Sequence, residues 1–151
     1  EEFGELAVQV VDFDAWRARF GQTTSTSATF QVAAFAEALT VYAHVGDFDQ
    51  AEDEELTLGE CTSMDALDAA RRIVRVPGQD LHARASLAAP VDELTYMRNE
   101  WSFGRYYHAV VTVAPGATLD VLIPSRMMQK RPRPGLVVAG DFWLSAREVP
   151  A

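Results

Sequence analysis

The chain has 151 residues, 48% hydrophobic, 10% aromatic and 23% charged, a profile of one ordinary globular domain able to bury about 68–70% of the surface its unfolded form exposes. Cys61 is its lone cysteine, so no intrachain disulfide can form, and no run reaches the roughly 20 apolar residues that cross a bilayer; a soluble, cytoplasmic protein is expected. The net charge of −9 is uneven: residues 1–60 hold thirteen acids against Arg17 and Arg19, residues 61–151 nine acids against eleven bases. Such a balance opposes tight nucleic-acid binding and attachment to anionic membranes, and it favours a basic protein partner. Glu1 stands first where a methionine would open a complete chain, which leaves room for a leader or anchor ahead of it.

In chain order, residues 5–11 alternate as a strand, and Asp12 or Asp14 then caps a short helix carrying Trp16 and Phe20 and ended by Gly21. The small polar run 22–27 has nothing to bury and reads as a connector. Residues 29–45 permit a long strand or an alanine-rich helix; Thr40, Val41, Tyr42 and Val45, β-branched or aromatic, favour the strand. The stretch 46–55 is so acidic that a solvated loop is expected. Ser63, Met64, Leu67, Ala70 and Val74 stand at helical spacing, with a stop at Pro77-Gly78.

Further on, Leu81–Ala88 reads as a strand that Pro90 breaks or bends, and Leu94–Met97 resumes it before a turn between Asn99 and Gly104. Arg105–Ala114 and Ala117–Ile123 form a hairpin across Pro115-Gly116. Ser125–Lys130 fits a helical turn or two and Pro132–Gly135 a loop; two closing segments, Leu136–Ala139 and Asp141–Arg147, flank Gly140, placed where a strand kinks at a barrel corner.

The order strand, strand, strand, short helix, strand, strand, together with the phrase Pro134-Gly135-Leu136-Val137-Val138-Ala139-Gly140-Asp141-Phe142-Trp143-Leu144, resembles bacterial OB-fold-like domains of unknown function. The likeness covers about the last 70 residues and implies a five-stranded barrel with a helix between its third and fourth strands and a ligand face on its middle strands. The expected class is mainly β (α+β): a single domain 1–151, with an acidic α+β part over 1–79 contributing strands and one or two short helices, and an OB-like barrel over 80–149.

The densest chemical feature is Tyr96, Arg98, Trp101, Phe103, Arg105, Tyr106, Tyr107 and His108. Rings offer stacking faces and guanidiniums offer planar donors, so Tyr96, Arg98, Trp101, Arg105, Tyr106 and Tyr107 are the candidate ligand or partner surface; the plainer reading is hairpin core with arginines lying over it. Asp47, Asp49, Glu52, Asp53, Glu54 and Glu55 lack the glycine and glutamate spacing of a calcium loop, and they read as solvated or as a lure for a basic partner. Arg126, Lys130, Arg131 and Arg133 form a basic loop able to face that acidic half in the same chain or in a second copy. No metal or cofactor is expected: the three histidines are dispersed, and Gly-rich phosphate loops and Gly-x-Ser-x-Gly elbows are absent. Glu60 beside Cys61 disfavours a reactive thiolate. Two functions follow: a noncatalytic interaction protein, antitoxin- or immunity-like in one version, or a small hydrolase-type enzyme with its site at His108, Asp120 and Asp141.

Overall fold

The computed structural model describes residues 9–10, 30–63, 84–102, 104–113 and 116–148. Strand β1 is Gln9–Val10, β2 Phe30–Tyr42, β3 Glu60–Ser63, β4 Arg84–Arg98, β5 Arg105–Val113, β6 Ala117–Pro124 and β7 Val137–Glu148; helix α1 spans Val45–Asp49 and a 3₁₀ turn Ser125–Met127. The two helices expected around Trp16 and around Leu67, the polar run 22–27, Phe103 and Pro115 lie outside the described residues.

Five strands close into a small barrel, as expected for a mainly β, OB-like class. Strands β4, β5 and β6 form an antiparallel meander; β6 pairs parallel to β2, and β7 lies antiparallel between β2 and β4. The first barrel strand, β2, comes from the N-terminal half, which settles 30–42 as strand rather than alanine-rich helix. Alternation explains the choice: Val32, Ala34 and Ala36 face the core at period two, and after the bulge at Glu37 restores the parity Leu39 and Val41 do so again. The 3₁₀ turn lies between the fourth and fifth barrel strands, not the third and fourth as the resemblance implies.

The core is filled from every barrel strand, with Ala34, Leu87, Val111, Val121, Ile123, Phe142 and Leu144 all sealed from solvent. Two bulges bend the wall. One sets Glu37 between the Ala36–Phe142 and Ala38–Asp141 pairs. There β2 presses against Gly140, where an added methyl would overlap the Ala38 carbonyl oxygen. Gly140 therefore marks a close backbone approach within one continuous strand rather than a gap between two. The second bulge, at Asp92, lies between the Val91–Val111 and Glu93–Val110 pairs.

Pro90 does not break β4, which runs unbroken for 15 residues and changes partner at that point: Arg84–Pro90 pair with β7, Val91–Arg98 with β5. Ala88 turns its carbonyl toward the β3 side, to Gly59 N–H, and Val91 turns to Leu136 and Gly135 on the β7 side. Alternation aims the missing N–H of Pro90 like that of Ala88, past the end of β3 pairing, so no ladder bond is lost.

The stretch 46–55 is not a bare loop. His44 caps α1, its Nδ1 accepting from Asp47 N–H at 3.3 Å, and Phe48 is buried on Ala88, Val137 and Ala139, joined by Tyr42, Leu56 and Leu58. Three apolar side chains thus pin a highly charged segment onto the outside of the barrel, an anchor that charge counting alone hides.

Candidate functional site

Strand parity divides the sequence's aromatic cluster between two faces. Along β5, Ala109, Val111 and Val113 are buried and Tyr107 packs on the same core, so Tyr106 and His108 face outward. Tyr96 pairs with Tyr107 across the β4–β5 ladder, their ring centroids 5.0 Å apart, and Arg105 lies 5.7 Å from the Tyr96 centroid with its Nη1 donating to the phenol oxygen at 3.3 Å. Arg98 pairs opposite Arg105. Tyr96, Tyr107 and Arg105 are thus brought together at the end of the barrel, with Tyr96 50% exposed. Trp101 stands 95% exposed in the β4–β5 turn, which Asn99 shapes by accepting from the backbone N–H groups of Trp101 and Ser102 at 2.9 and 3.1 Å. Tyr106 points the other way.

On that other, outer face, sequence reasoning missed an apolar groove of about 280 Å³ lined by Phe35, Ala36, Asn99, Tyr106, Leu122 and Pro124. Leu122 on β6 has Phe35 of β2 as its neighbour on one side and His108 of β5 on the other. Phe35 is 42% and Met97 38% exposed. The missing signal was register: nothing local reveals that β2 lies beside β6, and only that pairing sets Phe35 against Leu122.

Next to the groove, His108 Nε2 and Asp120 Oδ1 are 2.7 Å apart, and Gln31 Nε2 donates to Asp120 Oδ2 at 2.6 Å. Burial by itself would raise the Asp120 carboxyl, but the hydrogen bonds from His108 and Gln31 and the His108 charge outweigh it, so the group titrates below its ordinary value. The proposed catalytic trio therefore divides. His108 and Asp120 meet, whereas Asp141 accepts from the buried Ser86 hydroxyl at 2.7 Å, beside a cleft of about 260 Å³ that it shares with Asp53, Glu54 and Glu55.

Of the acidic residues, Asp47, Asp49, Glu52, Asp53 and Glu55 are exposed. Glu54 is half-buried and accepts the Tyr42 hydroxyl at 2.9 Å, and this contact adds to burial in raising the Tyr42 phenol above its usual range. In the basic loop, Arg133 donates to the Ala43 carbonyl at 3.2 Å. Gln129 bonds both the N–H of Val41 and the carbonyl of Leu39, completing the β2 edge where β6 no longer reaches it. Burial, and secondarily Glu60, pushes the Cys61 thiol up to about 11, which argues against a thiolate nucleophile.

Among the described residues no group of three or more His, Cys, Asp or Glu side chains is placed to hold a metal ion, and no helix is long and apolar enough to cross a membrane. Comparison of the chain with protein-family models, with curated proteins and with solved structures finds no match.

Proposed function

We propose that the chain is a noncatalytic interaction module of the bacterial OB-like kind, which engages a basic protein partner through the β4–β5 end of its barrel and its acidic segment. The observation that carries this reading is the concentration of exposed apolar side chains at that end: Tyr96, Met97 and Trp101 on one hairpin, with Phe35 on the neighbouring face. A tryptophan almost wholly in water, set beside other exposed large side chains rather than singly, is the pattern of a contact surface, where aromatic and arginine anchors supply most of the binding energy. The five exposed carboxylates of the α1 segment add long-range attraction, which speeds encounter with a cationic surface more than it tightens the final complex. One version is an antitoxin- or immunity-like protein that occludes a basic effector.

A photo-crosslinking side chain at position 101, in protein expressed in its own cells, tests the reading. A discrete adduct with a basic protein is expected, absent when the same group replaces Thr118 on the barrel wall. Adducts of equal yield and pattern from both positions would refute it.

The His108–Asp120 contact supports a second reading, a hydrolase-type or ligand-processing site, because a carboxylate-oriented imidazole is half of a general-base system. Among the described residues two candidate nucleophiles are otherwise engaged: Ser86 gives its hydroxyl to Asp141, and the Cys61 thiol is held protonated. Turnover of simple ester or amide substrates that falls at least about a hundredfold in His108→Ala would establish catalysis and displace the interaction reading.

A further inference from the structure

We propose that the outer-face groove between Phe35 and Tyr106 is the socket for one arginine side chain of the basic partner, an inference that rests on the interaction reading above. The fold itself shows how an arginine seats on this barrel. Arg84 lies 5.6 Å from the Trp143 ring centroid while its Nε is 3.3 Å from the Glu37 carboxylate, so the cation has a ring beneath it and an anion at its end. Arg105 likewise lies against the Tyr96 ring, its Nη1 donating to the neutral phenol oxygen instead of a carboxylate. Among the described residues the groove offers the same kinds of group, and no arginine lines it. Phe35 and Tyr106 supply rings, Leu122 and Pro124 an apolar floor, and Asp120 a carboxylate two residues along β6 on the same face, about 7 Å from Leu122.

Chemistry selects arginine among possible occupants. A guanidinium is planar and weakly hydrated, so it stacks on rings while its edge donates to a carboxylate; an ammonium keeps its water and has no flat face. Asp120 already accepts from His108 and Gln31, one bond on each oxygen, and an ionised carboxylate has about four acceptor sites, so each oxygen retains one for a third donor. His108 and Gln31 hold the carboxylate in place, which reduces the ordering cost of binding. The net charge of −9 draws a cationic segment toward the surface from a distance, and a volume of about 280 Å³ suits one long planar side chain better than a drug-sized molecule.

The test titrates the full chain, labelled with ¹⁵N, with nona-arginine and separately with nona-lysine, peptides of equal charge. The expected result is binding about tenfold tighter for the arginine peptide, with amide shifts centred on Phe35, Tyr106 and Leu122. Phe35→Leu, which keeps apolar bulk but removes the ring, should abolish the preference, and Asp120→Asn should do the same; circular dichroism verifies that both variants fold. Equal affinity for the two peptides with shifts confined to residues 47–55 would overturn the socket while leaving a charge-driven interaction module intact. Failure of both peptides to bind would overturn the socket and the basic partner together, with the crosslinking at position 101 then deciding whether any partner exists. Benzyl alcohol filling the groove in preference to either peptide would assign it to a small neutral ligand and overturn the proposal.

Discussion

Replacing Gly140 by alanine tests the close backbone approach between β7 and β2. A methyl at this position would overlap the Ala38 carbonyl oxygen and lie 2.9 Å from that carbonyl carbon and 3.0 Å from Leu39 Cα. All three obstacles are main-chain atoms, so no rotamer change relieves them, and β2 is held to β7 from Phe30–Glu148 through Tyr42–Val137. Overpacking of well-packed protein costs about 1–3 kcal/mol, and a backbone obstacle puts Gly140→Ala at the upper end, near 3 kcal/mol. For a chain of this size that lowers the melting temperature by about 6–12 °C. Thermal and urea unfolding measure it, and Gly116→Ala is the informative comparison. Gly116 has φ +129° and nothing within 4 Å of the added methyl, so its cost is conformational alone, about 1–3 kcal/mol. A Gly140→Ala protein as stable as wild type, or one gaining the about 0.4–1 kcal/mol that a compatible Gly→Ala yields, would refute the close approach of β2 to β7.

Three further outcomes are expected. Asp120 titrates low in the folded state, so it adds stability above its ordinary pKa that is lost as pH falls through the folded value; acid unfolding below about pH 4 should show a shallower pH dependence in Asp120→Asn than in wild type, and equal slopes would remove the role of His108 and Gln31. Because the Cys61 thiol is pushed up to about 11, the unfolded chain releases its proton first, so stability should decline as pH rises from about 9 to 11, and thiol reagents should modify Cys61 slowly at pH 8 until urea is added; immediate modification of the native protein would contradict its burial. In the acidic segment, replacing Glu52, Asp53 and Glu55 with amides should change stability by less than about 0.5 kcal/mol, while Phe48→Ala should cost about 3–5 kcal/mol, a contrast read from urea midpoints.

Legibility in the sequence followed the range of the interactions concerned. Strands β5 and β6, the Asn99–Gly104 turn and the Gly116 hairpin are local events, written in alternation and in residues suited to tight turns, and they could be read directly. Strand β3 could not, because four residues carry no period and Ser63 reads as a helix start, and Val45, counted toward the β2 strand, opens α1 instead. Pro90 reads as a break or a bend, and that it is not a break depends on which way one N–H points, which is fixed by partners at Gly59 and Leu136, far along the chain. The acidic stretch misled: six carboxylates masked the apolar spacing of Phe48, Leu56 and Leu58, whose common neighbours on β4 and β7 become visible only when those strands are in place. For the same reason His108 and Asp120 could be named but not paired reliably with Asp141. The β5–β6 hairpin joins the first two, whereas Asp141 belongs to β7, with β2 standing between it and β6.

An acidic protein that docks so charged a segment on its barrel works against its own repulsion. A free acidic tail would lower self-repulsion by spreading out, yet here Phe48, Leu56 and Leu58 dock the segment on Ala88, Val137 and Ala139, and Glu54 is tied to Tyr42. Like charges at short range cost on the order of 1 kcal/mol per pair in water, so apolar anchoring works against a standing repulsion. Docking the segment keeps its carboxylates beside β4 and β7. Under the proposed function their field brings a cationic partner toward the barrel without specifying its pose, because steering weakens within about 10 Å at moderate salt. The pose must come from short-range features, and those available are the exposed rings of the β4–β5 end and the Phe35–Tyr106 groove. Raising salt should therefore slow association more than it speeds dissociation, whereas loss of the Phe35 ring should do the reverse. Measuring both rates separates the two contributions, and a Phe35→Leu protein that changed only the association rate would show that the groove takes no part in the bound state.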